Sequence, residues 1–84
     1  MQYIRIYPVN GTAFVWGAVG DATSYVLQIG TATGQSDVVN LNVGNVITYT
    51  AALIPGGYFS RVVIVGGVQD GELTAGGQQA FTVS

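Results

Sequence analysis

The sequence predicts an all-β fold, a sandwich of two antiparallel sheets, and three observations carry that expectation. Apolar and polar residues alternate through most of the chain with a period of two, the spacing that sends successive side chains to opposite faces of a strand. Val, Ile, Thr, Tyr and Phe gather in short runs separated by glycines (Gly17/Gly20, Gly30/Gly34, Gly56-Gly57, Gly66-Gly67, Gly76-Gly77), so turn signals recur about every 8–12 residues. No window holds an i, i+3, i+4, i+7 apolar stripe long enough for a helix.

Seven strands are expected in order. The first, Tyr3–Val9, sets Ile4 and Ile6 against Tyr3, Arg5 and Tyr7 and runs into the turn dipeptide Asn10-Gly11. The second, Thr12–Ala18, places Phe14 and Trp16 on one face, and the third, Ser24–Gly30, does the same with Tyr25, Leu27 and Ile29. The fourth, Asp37–Val43, turns Val39 and Leu41 inward; the fifth, Val46–Leu53, turns Ile47, Tyr49, Ala51 and Leu53 inward. After Pro55-Gly56-Gly57 comes the sixth, Tyr58–Val65, with Tyr58, Val62 and Ile64 directed inward. Phe59, Arg61, Val63 and Val65 occupy its other face. The seventh, Gln78–Val83, adds Phe81 and Val83. Two sheets packed face to face would bury this inward set in a layer about 10 Å thick.

Four motifs in this order carry a family resemblance: Trp16 on the second strand, Tyr25-x-Leu27-x-Ile29 on the third, Tyr49-x-Ala51-x-Leu53 on the fifth, and Pro55-Gly56-x-Tyr58-x-x-Arg61-Val62 leading into the sixth. Together they resemble a fibronectin type III domain, a seven-stranded immunoglobulin-like β-sandwich, over the whole chain. The resemblance implies strands A, B, C, C′, E, F and G in sheets A-B-E and C′-C-F-G. It also implies a tyrosine corner, in which the Tyr58 hydroxyl bonds backbone near Leu53. The corner is one residue shorter than in many animal members, which is closer to bacterial and phage versions. Ser60 stands where an inward aromatic is common.

At 84 residues the chain is expected to form one domain, residues 1–84. A chain of this size buries only roughly 60–65% of its unfolded surface. It has no cysteine and no histidine, so packing and sheet hydrogen bonds must replace disulfide or zinc staples. Arg5, Arg61, Asp21, Asp37, Asp70 and Glu72 are the only charged side chains, and lysine is absent. Two arginines at a net charge of −2 cannot neutralise a run of phosphates, so no nucleic-acid partner is expected. The longest apolar run, Val62 to Val68, is interrupted by Gly66-Gly67 and is far short of the ~20 residues that span a bilayer, so no membrane insertion is expected. The opening Met1-Gln2-Tyr3-Ile4-Arg5 lacks a basic n-region and an apolar h-region, which predicts folding in a cytoplasm without export by the usual route.

Catalysis is not expected. Without His, Cys or Lys the chain lacks the usual general base, the thiol nucleophile and the Schiff-base amine, and its four carboxylates form no acid/base pair in the sequence. No cofactor is expected either. Asp70-Gly71-Glu72 offers oxygens to a hard cation but has no third carboxylate nearby, and it reads better as an Asp-Gly turn. Asn10-Gly11-Thr12 fits a glycosylation acceptor and, equally, a turn between strands A and B; the turn is favoured. Gly30-x-x-x-Gly34 lacks the lysine of a phosphate loop, and no Arg-Gly-Asp occurs, so the integrin-binding role of some family members is not carried over.

Two surfaces remain as candidates. On the outward C–F–G face, Val26, Phe59, Arg61, Val63 and Val65, with Ala80 and Thr82, are expected to form an apolar patch of the kind that marks protein contacts. Strand edges without lysine gatekeepers point the same way. The expectation is a structural component of a large assembly, with a protein partner, a capsid or tail protein or copies of itself. A bacteriophage virion fits, since its proteins fold in bacterial cytoplasm, leave by lysis, and often resemble immunoglobulin or fibronectin modules. The alternative is a carbohydrate- or surface-binding module from a larger extracellular protein, using Tyr3, Arg5 and Tyr7 on the outward face of strand A.

Overall fold

The computed structural model describes residues 11–83 of the chain. Among these residues there are six strands and no helix: β1 (Thr12–Val15), β2 (Ser24–Gly30), β3 (Val39–Gly44), β4 (Thr48–Ala51), β5 (Gly56–Val65) and β6 (Gln79–Val83). The strand expected over Tyr3–Val9, and with it Ile4 and Ile6, lies outside the described residues.

All pairing is antiparallel, in a two-stranded sheet β1-β4 and a four-stranded sheet of order β3-β2-β5-β6. Chain order explains that arrangement. β2 pairs with β3 through the short turn at residues 31–38, while the link from β3 to β4 leaves the larger sheet and returns through the Pro55 corner to β5. Alternation then decides burial: along β2, Tyr25, Leu27 and Ile29 are buried while Ser24, Val26 and Gln28 are half-buried. On β5, Tyr58, Ser60, Val62 and Ile64 are buried and their neighbours Phe59, Arg61, Val63 and Val65 are half-buried.

The core joins both sheets, as a two-layer all-β fold requires. Trp16, Ala51 and Leu53 come from the β1–β4 side; Tyr25, Leu27, Ile29, Tyr58, Val62, Ile64 and Val83 come from the larger sheet. Two aromatic pairs bridge the layers and a third stacks within the larger sheet. Phe14 meets Phe81 edge-on with centroids 5.3 Å apart, Trp16 meets Tyr25 at 5.9 Å, and Phe81 stacks on Tyr58 at 5.5 Å. At the corner before β5 the Tyr58 hydroxyl donates to the Ile54 carbonyl at 2.6 Å, one residue beyond Leu53.

Two residues expected inside are not. Leu41 is 42% exposed and Ile47 is 44% exposed. Leu41 pairs with the fully buried Leu27, so it faces the same side. It sits on the edge strand β3, however, and the opposing layer among the described residues has only two strands and does not reach over it. Ile47 precedes the first residue of β4, at the end of the layer. The expected strands over Thr12–Ala18 and Val46–Leu53 are shortened to Thr12–Val15 and Thr48–Ala51, and the one over Asp37–Val43 shifts to Val39–Gly44. β6 starts at Gln79 rather than Gln78, and β5 starts two residues earlier than expected, at Gly56.

Candidate functional site

The register of the larger sheet brings the expected contact residues onto one face. Val26 pairs with Val63, Gln28 with Arg61, Ser24 with Val65 and Gly30 with Phe59. All five of Val26, Phe59, Arg61, Val63 and Val65 are half-buried, so the face is less open than a bare patch. The chain after β5 supplies part of the cover. Leu73 bridges to Val63, and hydrogen bonds from Ile64 N to Glu72 O (2.8 Å) and from Thr74 N to Val62 O (3.0 Å) lay residues 72–74 along the β5 edge beyond β6. Alternation along the chain carried no signal for that extra pairing.

The face is also divided at Arg61. A polar ladder crosses its middle. Gln28 Nε2 donates to Asn40 Oδ1 (3.3 Å), Arg61 Nε donates to Gln28 Oε1 (2.6 Å), and Arg61 Nη2 donates to the Gly34 carbonyl (3.3 Å). Gly34 N donates in turn to Gln78 Oε1 at 3.0 Å. Arg61 thus donates to two neutral oxygens, the Gln28 amide and the Gly34 carbonyl. On one side of the ladder lie Val26, Val63, Leu73 and Val65. On the other, Phe59 lines a shallow depression of about 350 Å³ with Thr31, Ala80 and Thr82. Gln28 and Arg61 both fall at outward positions of their strands, a parity visible in the sequence, but only the β2–β5 register sets them opposite each other.

The loops at the Val65 end are fixed by carboxylates. Asp21 Oδ2 accepts from Val68 N (2.9 Å), Asp70 Oδ1 accepts from Gly66 N (2.6 Å), and Thr23 Oγ1 donates to the Val65 carbonyl (3.0 Å). Asp70 therefore serves its own turn, and no group of three or more potential metal ligands occurs among the described residues. At the opposite end Asp37 accepts from Thr31 N (3.0 Å) and Thr31 Oγ1 (2.9 Å). Those two bonds, the backbone one first, hold its carboxyl below the ordinary value of 3.8.

A second feature was not anticipated. Between β1 and the β5–β6 part of the larger sheet runs a groove of about 610 Å³, lined among others by Phe14, Trp16, Ser60, Val62, Thr74 and Phe81. Trp16 is buried, at 8% exposure, and its indole N–H has no hydrogen-bond partner among the described residues. Leaving a buried donor unmet costs about 1–3 kcal/mol. Tyr3, Arg5 and Tyr7, the other candidate ligand face, lie outside the described residues.

Comparison with protein-family models, with curated proteins and with solved structures gives no match for this chain.

Proposed function

We propose that this chain is a non-catalytic interaction module of the fibronectin type III kind, a structural component covered by protein neighbours in a large assembly. The setting that fits best is a bacteriophage virion, as a capsid-decoration or tail-associated protein. The observation that carries the reading is the outer face of the four-stranded sheet. It presents Val26, Phe59, Val63 and Val65 around the Arg61 guanidinium, where an isolated antiparallel sheet normally turns a polar face to water. The Tyr58–Ile54 hydrogen bond at the corner and the β3-β2-β5-β6 order support the family reading. The virion setting rests on analogy at fold level. The absence of His, Cys and Lys supports the non-catalytic reading.

The test is the mass of the purified chain across a concentration series by light scattering, alongside Phe59→Lys and Val63→Lys. These two positions lie on opposite sides of the polar ladder, so each variant probes one half of the face. Self-association of the wild type that either lysine abolishes supports the reading. A wild type that is monomeric throughout, and that neither variant alters, sinks the idea of a self-assembly face. The competing glycan-binding module would instead show micromolar binding on a glycan array that Tyr3→Ala or Tyr7→Ala removes.

A further inference from the structure

β3 lies at one edge of the larger sheet, and its residues 39–43 read the same in both directions: Val39-Asn40-Leu41-Asn42-Val43. It pairs with β2 along one side, and no described strand pairs with its other side. The strand carries no charge and no proline, the devices by which sheet edges normally discourage pairing with another chain.

The register of the sheet decides which backbone groups face that open side. Thr74 N donates to Val62 O and Ile64 N donates to Glu72 O, so Val62 and Ile64 direct their backbone groups away from β2. Hydrogen-bonded and non-bonded pairs alternate along an antiparallel ladder, so Arg61 and Val63 bond β2 through their partners Gln28 and Val26. Leu27 and Ile29 then bond β3 through Leu41 and Val39. Asn40 and Asn42 are left with their backbone N–H and C=O groups directed at the open side. Their side chains turn back to β2, where Asn40 Oδ1 accepts from Gln28 Nε2 and Asn42 Nδ2 donates to Ser24 Oγ. The donors just beyond them are already in use: Val38 N bonds Ile29 O, and Gly44 N bonds Asn42 Oδ1.

An antiparallel partner must bond both Asn40 and Asn42 and set the residue between them beside Leu41. A second β3, related by a twofold axis at Leu41, does so without a mismatch. Asn40 falls opposite the partner's Asn42, and Asn42 opposite the partner's Asn40, each pair exchanging both of its N–H···O bonds. Leu41 meets the partner's Leu41 in a non-bonded pair, where Cα atoms approach to about 4.5 Å. That contact covers a side chain left 42% exposed on the inward face of the sheet. Val39 falls opposite the partner's Val43. Asp37, the nearest charged residue along the chain, falls opposite the partner's Asn45, so the pairing sets no carboxylate against another.

We propose that β3 is a self-pairing edge, which joins two copies of this chain antiparallel about Leu41 into one continuous sheet. The site uses the edge of the larger sheet and not its outer face, so it is independent of that face as an assembly surface.

The chain has no cysteine, so a single introduced thiol reports pairing without background. Leu41→Cys, Val39→Cys and Val43→Cys are oxidised separately at equal concentration, beside Val68→Cys at a turn position that is 86% exposed. The expected result is a disulfide dimer from Leu41→Cys well ahead of the other three, because position 41 alone meets itself across the axis within disulfide reach. Val39→Cys or Val43→Cys ahead of Leu41→Cys overturns the register. Leu41→Cys no faster than Val68→Cys overturns the site.

Light scattering gives a second readout. The Asn40 N–H points away from β2, so Asn40→Pro removes a donor that only the partner uses. Asn40→Pro and Leu41→Lys should be monomers where the wild type is a dimer, whereas Phe59→Lys should leave that dimer intact. A wild type of monomer mass at every concentration overturns the site. Loss of the dimer in Phe59→Lys, with Asn40→Pro and Leu41→Lys unchanged, overturns it in favour of the outer face.

Discussion

Val63 on β5 and Val15 on β1 are both outward valines between inward core residues, yet Val63 is half-buried and Val15 is 74% exposed. The difference lies in their neighbours. Val63 has Val26 on one side and Leu73 on the other, within a ten-residue strand paired along both edges. Val15 stands beside Thr48 alone, on a four-residue strand that pairs with β4 and with no other described strand. Alternation assigns a side chain to a face; how deeply it is buried there depends on how many strands flank it.

This contrast is open to attack through stability. The largest expected effect is Ile64→Ala on the inward face of β5, where exposure is 1%: loss of the side chain should cost about 2–5 kcal/mol. Val15→Ala on β1 should stay within about 0.5 kcal/mol. Urea unfolding midpoints measure both, and similar losses would break the comparison. Gly67→Ala comes next. Gly67 has φ +80°, and an added Cβ would lie 2.5 Å from Asp21 Cγ, so about 1–2 kcal/mol of left-handed strain is joined by displacement of the carboxylate that holds Val68 N. If instead Gly67→Ala is neutral, the loops at the Val65 end are not the rigid border of the β5 face described above.

Tyr58→Phe removes the hydroxyl that bonds Ile54 O and should lower stability by about 0.5–1.5 kcal/mol while the ring stays stacked on Phe81. A loss comparable to that of Ile64→Ala would show the corner, rather than the core, to be the keystone of β5. The smallest effect belongs to Asp37→Asn. The Asp37 carboxyl is held below its ordinary value by the Thr31 N–H and hydroxyl, so its contribution is present above 3.8 and is lost as the pH falls through the lower folded value. Variant and wild type should differ slightly at neutral pH and converge on acidification, as read from thermal midpoints at both. A gap that persists at low pH would remove the carboxylate from the explanation.

Some of this was legible in the residues alone. Ser24–Gly30 is a strand to the residue because Tyr25, Leu27 and Ile29 alternate without interruption between a polar start and a glycine. The bond at the Tyr58 corner was expected only from the family resemblance, while the outward set Val26, Phe59, Arg61, Val63 and Val65 follows from parity once the inward set is chosen. The polar ladder from Asn40 to Gln78 was missed because it joins residues far apart in the chain, whose alignment depends on register across three strands. The groove at β1 was missed for a related reason, since it is a space between two sheets and belongs to no single segment.

The sequence by itself determined the class of structure and the face on which each strand residue falls, because both follow from a period of two that every L-residue strand obeys. The tertiary structure alone decided that Leu41 and Ile47 remain exposed, that Arg61 divides the outer face, and that the β1 edge borders a groove. Those outcomes depend on how many strands stand opposite or beside a residue and in what register. Burial and long-range hydrogen bonds are properties of such neighbours, and no local pattern encodes them.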